Sequence, residues 1–139
     1  MNYDKLEKVL INLKLQFQNY QTSKSRDVLD QEAVEESVIQ RSEICYGVLW
    51  KTLKRHMTEV LGLPEIPGSP KPVFRSAYEN NLIPSEECLE RWFTYASIRV
   101  DTTHVYDIEA KERALAHVES FIADAVRVYE AITETKWQQ

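Results

Sequence analysis

Apolar residues recur at three- and four-residue steps along most of the chain, and nowhere do they alternate with period two. Leu6, Val9, Leu10, Leu13, Phe17 and Tyr20 form one stripe and predict a helix over about 3–20. Asp4 and Glu7 favour its N-terminal end through the helix dipole. The stretch 21–27 is polar and reads as a connection. A long second helix is predicted over about 30–57, with Val34, Val38, Ile39, Cys45, Leu49, Leu53 and Met57 on its buried side. A short helix follows over about 75–81. Pro84 breaks the chain, and Ser85 caps a further helix that carries Cys88, Leu89, Trp92, Phe93, Tyr95, Ala96 and Ile98. The last helix starts near Asp107, runs into the 130s and buries Leu115, Val118, Ile122, Ala125, Val126, Tyr129 and Ile132. The pattern predicts an all-α protein: an up-and-down four-helix bundle with a short extra helix.

Four of the five prolines (Pro64, Pro67, Pro70, Pro72) and two of the three glycines (Gly62, Gly68) fall close together. They mark residues 61–74 as a surface loop, the one major interruption of the helical pattern. No repeat and no second composition regime appears, so the 139 residues read as one domain.

Composition narrows the class further. At 43% apolar residues the chain can bury a core and is not disordered. The longest apolar run, 44–50, falls far short of the ~20 residues needed to cross a bilayer. The first five residues lack the apolar core of a signal peptide, and two lone cysteines suit a reducing compartment, so a cytoplasmic protein without membrane contact is expected. Seventeen basic against 22 acidic residues give a net charge of −5, which argues against a protein that coats nucleic acid without specificity but leaves room for a local basic cleft. Within that balance the basic residues are uneven. Lys51, Lys54, Arg55, Lys71, Arg75, Arg91 and Arg99 lie mid-sequence, whereas the first half of the second helix is acidic. Lys51, Lys54 and Arg55 share a helix face that can hold phosphate or simply be solvated.

Few residues can carry chemistry. No zinc-type Cys or His spacing, no Gly-rich phosphate loop and no nucleophile elbow is present, and no metal or cofactor is expected. The acidic residues fall mostly on helix faces beside Lys and Arg and read as solvated. Of the three histidines, His56 reads as a cation at a helix C-terminus and His117 as a partly exposed helix residue. His104 stands apart, in Arg99-Val100-Asp101-Thr102-Thr103-His104-Val105-Tyr106. Asp101, Thr102 and Thr103 all form caps, so a helix starts or bends here. Five residues on a straight helix turn about 140°, so Arg99 and His104 can cooperate only across a bend or between two chains.

A succession of segments carries a resemblance: Trp50-Lys51-Thr52-Leu53-Lys54, Gly62, Ser69-Pro70 with Phe74-Arg75-Ser76-Ala77, Asn81-Leu82-Ile83, Trp92, and Arg99-x4-His104-x-Tyr106. Together they resemble the HEPN superfamily, in its branch of nucleotidyltransferase substrate-binding proteins or HepT-like toxins. The resemblance implies a helical bundle, a homodimer, and a small nucleotidyltransferase encoded nearby as partner. It implies Arg99 and His104 as catalytic residues of a metal-independent endoribonuclease, and Tyr106 as an acceptor of AMP from the partner. Asp101, Lys51, Lys54 and Arg75 would support the site or bind phosphate. The residue after the motif Arg is Val100, where the family commonly has a polar side chain.

Two functions therefore stand open at the level of sequence. One is a toxin of a toxin–antitoxin pair that cleaves RNA and is controlled by its partner nucleotidyltransferase. RNA cleavage by 2′-OH attack needs a base and an acid, and a twofold dimer supplies two copies of His104 for them. The other is a non-catalytic nucleotide- or substrate-binding subunit of a two-component nucleotidyltransferase.

Overall fold

The computed structural model describes residues 1–22, 27–101 and 108–138, without the side chains of residues 99–101. The described residues form five helices: α1 (Asp4–Gln21), α2 (Val28–Glu59), α3 (Pro70–Glu79), α4 (Glu86–Asp101) and α5 (Ile108–Thr133). Among them there is no strand. Cross-helix bonds set the directions. Arg41 donates to the Asn12 carbonyl (3.0 Å) and Tyr3 bonds His56 (2.8 Å), so α1 runs antiparallel to α2. Lys111 pairs with Glu35 (3.0 Å) and Phe121 packs on Tyr46, so α5 runs parallel to α2. Arg91 and Tyr95 meet Asp124, and Tyr95 also meets Ser120, so α4 is antiparallel to α5. Helices α1, α2, α4 and α5 thus alternate in direction, as an up-and-down bundle requires, and α3 packs against α2 and α4.

The predicted stripes become the core. Leu6, Leu10 and Leu13 of α1 meet Val38, Cys45, Leu49, Leu53 and Met57 of α2, and all are buried. Each such side chain stabilises the fold by roughly 1.5–3 kcal/mol. An aromatic cluster fills the centre of the α3–α4–α5 side. Phe74 stacks on Trp92 at 4.6 Å, and Trp92 meets Tyr95 and Phe121 edge-on at 5.3 and 5.7 Å.

Two boundaries differ from the sequence reading. The short helix begins at Pro70, five residues before the expected start, and ends at Glu79. The prolines that read as loop are the reason. Ser69 is extended, and Pro70 and Pro72 occupy the first helical turn, where a missing N–H costs nothing. Asn81 then takes a left-handed φ of 63° and Leu82 N–H donates back to the Ala77 carbonyl (2.9 Å), closing the helix end. Helix α2 starts two residues early because the Asp27 side chain accepts from Asp30 N–H (2.9 Å) as its cap.

His56 is not an exposed cation. It is buried, and its Nδ1 sits 2.8 Å from the Tyr3 hydroxyl, tying the start of α1 to the end of α2. Burial holds its pKa below the ordinary value, against the opposing charge of Glu134. The folded protein therefore favours the neutral ring. Its contribution to stability is complete above the unfolded pKa of about 6.5 and is lost as pH falls through the lower folded value. Thermal melts between pH 8 and pH 5 should show a decline that His56→Gln removes. Tyr3→Phe should cost about 1 kcal/mol at neutral pH.

Candidate functional site

The apolar stripes of α2, α4 and α5 leave a cleft between them at the end of the bundle where α4 stops. Ile39, Ser42, Glu43 and Tyr46 of α2 form one wall, Tyr95 and Ile98 of α4 a second, and Ala114, His117, Val118 and Phe121 of α5 a third. Its walls are mostly apolar, with a few polar groups at the edge, the usual make-up of a ligand pocket. The Ser42 hydroxyl is engaged with the Val38 carbonyl at 2.9 Å. His117 Nδ1 lies 2.8 Å from the Arg113 carbonyl, which can only accept, so Nδ1 carries the proton. In the neutral ring that leaves Nε2 as the acceptor. His117 was legible only as a half-buried helix residue, because its part in a cleft depends on α2 and α4.

The cleft abuts the end of α4. Ile98 lines it, and Arg99 and Asp101 follow on the last turn of α4, placed here by backbone alone. His104 and Tyr106 lie outside the described residues. The other predicted phosphate-binding residues are elsewhere. Lys51 and Lys54 stand 8 and 11 residues beyond Glu43, roughly 12 and 16 Å further along α2. Arg75 sits on α3 with its guanidinium 5.7 Å from the Phe93 ring centre. None of the three lines the cleft. The end of α4 lies instead level with the acidic half of α2, which carries Glu35, Glu36 and Glu43. The end of α4 that carries Arg99 is separated in space from Lys51 and Lys54 because α2 is long and antiparallel to α4.

One wall of the cleft is held by a charged network that the sequence reading missed. Asp124 is 1% exposed, on the buried face of α5. Its Oδ2 accepts from Arg91 Nε (2.8 Å) and from the Tyr95 hydroxyl (2.6 Å). Its Oδ1 accepts from Arg91 Nη2 (2.9 Å) and Arg127 Nη1 (2.8 Å), with the Cys88 thiol at 3.6 Å. Burial pushes the Asp124 pKa up, but the hydrogen bonds from Arg91 and Tyr95 outweigh it and hold the carboxyl below its ordinary value. Burial and the bond to Asp124 push the Tyr95 pKa up, so Tyr95 stays a donor. Tyr95, a cleft residue, is thereby fixed by a carboxylate outside the cleft. The available signal was a lone Asp at the Phe121, Asp124, Ala125, Val128 spacing, an acid on an apolar stripe.

The thiols are inert. Burial pushes Cys45 up to about 12, and burial with the charge of Asp124 raises Cys88. Among the described residues no group of three or more His, Cys, Asp and Glu could hold a metal, and no helix is long and apolar enough to cross a membrane.

Comparison with known proteins adds the remaining facts. The family model described as nucleotidyltransferase substrate binding protein like matches residues 1–134. Among curated proteins none matches. Two solved structures share the fold. One is HI0074 from Haemophilus influenzae, described as revealing the fold of a substrate binding domain of a nucleotidyltransferase. It is 20% identical, with a TM-score of 0.83 over 95% of this chain and 99% of that one. A crystal structure of a Thermus thermophilus protein is 24% identical, with a TM-score of 0.77 over 91% of this chain and 98% of the other.

Proposed function

The chain belongs to the nucleotidyltransferase substrate binding protein-like family, and from that premise we propose that it is the non-catalytic substrate- or nucleotide-binding subunit of a two-component nucleotidyltransferase. The observation that carries the reading is the match of the family model to residues 1–134, nearly the whole chain. The α2–α4–α5 cleft is where such a subunit would present a small substrate. Its apolar walls would hold a ring or alkyl body, and Glu43 and His117 at its edge would orient the polar end. The partner supplies the nucleotidyl-transfer chemistry. The charge distribution supports binding over cleavage, since the cations Lys51, Lys54 and Arg75 stand away from the Arg99 end of the bundle.

A second reading keeps the HEPN assignment in its toxin branch: a homodimeric, metal-independent endoribonuclease of a toxin–antitoxin pair. Arg99 and His104 would be catalytic, Asp101 supporting, and Tyr106 would receive AMP from the partner. The placement of Arg99 one residue past a cleft-lining side chain favours it.

Expression separates the two. On the binding reading the protein co-purifies stoichiometrically with the nucleotidyltransferase encoded beside it. Expressed alone, it leaves growth and cellular RNA intact, as does His104→Ala. Growth arrest with RNA cleavage, abolished by His104→Ala in a folded protein, would replace this reading with the toxin. On that outcome, incubation with the partner and ATP should add one AMP to Tyr106 by mass spectrometry.

A further inference from the structure

On an acidic protein, one face gathers cations that have no carboxylate partner among the described residues. Lys71 and Arg75 project one turn apart from α3, both exposed, and both approach the half-buried Phe93 of α4 at 5.9 and 5.7 Å from its ring centre. Lys54 reaches the same region from α2: a Cβ on Gly68 would lie 3.4 Å from its Nζ, three residues before Lys71. Lys51 precedes Lys54 by one turn on the same face of α2. Ion pairs engage Arg55, Arg91, Lys111 and Arg127, whereas among the described residues none of the four cations Lys51, Lys54, Lys71 and Arg75 has a carboxylate within ion-pair distance. Glu79 and Glu90, one turn from Arg75 and Phe93, do not pair with them either. These four cations contrast with the chain's net charge of −5.

We infer that the face formed by Lys51, Lys54, Lys71, Arg75 and Phe93 binds a short stretch of single-stranded nucleic acid. The arrangement of the cations selects the ligand. Lys71 and Arg75 are four residues apart on one helix, a rise of about 6 Å, and Lys54 continues the row toward α2. Such a row matches successive phosphates of an extended strand. A lone phosphate would call for donors that converge on one point. Phe93 adds an apolar ring beside a guanidinium, and bases stack on both kinds of surface. Duplex DNA would present its phosphates without an exposed base face for Phe93. This site is separate from the cleft and from the Arg99 motif. It extends the binding-subunit reading by a second ligand class and does not depend on RNA cleavage.

The test is fluorescence anisotropy of a labelled 12-nucleotide single-stranded DNA with the purified full chain, titrated at several salt concentrations. No partner enzyme is present, so failure here leaves the family-based reading intact. The expected dissociation constant is on the order of 10–100 μM near physiological salt, and log K should fall with log salt with a slope of about −2 for three phosphate contacts. The triple variant Lys54→Gln, Lys71→Gln, Arg75→Gln should weaken binding by more than tenfold and flatten that slope. These side chains are at the surface or half-buried, and a thermal melt checks that the variant stays folded. Phe93→Leu should weaken binding roughly tenfold with the slope unchanged, and Phe93→Trp should preserve it. No binding at low salt, or a triple variant indistinguishable from the parent, overturns the inference. Equal affinity for duplex, or displacement of the oligonucleotide by polyglutamate at equal charge concentration, overturns it too, the latter marking a docking face for an acidic protein.

Discussion

Asp124→Asn should lower stability by about 3 kcal/mol, measured by urea unfolding at neutral pH. The carboxylate is buried and accepts four N–H and O–H bonds from Arg91, Arg127 and Tyr95. An amide of the same shape turns one end into a donor facing donors and leaves two guanidinium groups without a counter-charge. Breaking a buried pair from one side costs about 3–5 kcal/mol, and the lower end applies because both guanidinium groups also reach water. Arg127→Ala should cost well under about 1 kcal/mol, since that side chain is mostly exposed. The pH dependence has a definite sign. Asp124 has a depressed folded pKa, so its contribution is fully present above the unfolded value of about 3.9 and is lost as pH falls through the folded one. Acid unfolding of the parent should therefore be steeper than that of Asp124→Asn. Tyr95 would lose its acceptor at the same time, so Asp124→Asn should also loosen the cleft wall.

Trp92→Ala should be the most damaging single change, at roughly 3–5 kcal/mol, a large share of the about 5–15 kcal/mol that holds a domain folded. Trp92 is fully buried, stacked on Phe74 and edge-on to Tyr95 and Phe121, so it joins α3, α4 and α5. No neighbour can collapse into the space without breaking those ring contacts. Its indole Nε1 has no hydrogen-bond partner among the described residues, so Trp92→Phe removes an unpaired donor along with some volume and should cost much less. Chemical denaturation of the two variants checks the ordering.

The helices and the core were legible in the sequence because a 3.6-residue repeat of Leu, Ile, Val and aromatic residues admits one burial solution. Leu6, Leu10, Leu13, Val38, Leu49, Leu53, Val118 and Ile122 could be assigned to the interior from spacing alone, and all are buried. Periodicity is silent about local ends, and so the start of α3 was misplaced. Proline stops a helix from inside but starts one from its first turn, and only the extended backbone at Ser69 tells which role Pro70 plays. The same limit applies to polar residues on long helices. Asp124, His56 and His117 each sit where a helix face could be wet or dry, and the packed neighbour decides. Arg91 and Tyr95 lie some 30 residues from Asp124, and Tyr3 lies 53 residues from His56. The separation of the basic row from the Arg99 end was also a tertiary outcome. Sequence order places Lys51, Lys54, Arg75 and Arg99 in one central block. An antiparallel bundle of long helices sends its members to different heights, because each residue of helix adds about 1.5 Å along the axis. Sequence by itself determined the helical class, the buried stripes and the nucleotidyltransferase substrate binding protein-like family. The cleft, the buried carboxylate network and the pairing of Lys71 and Arg75 with Phe93 came only from how the helices meet.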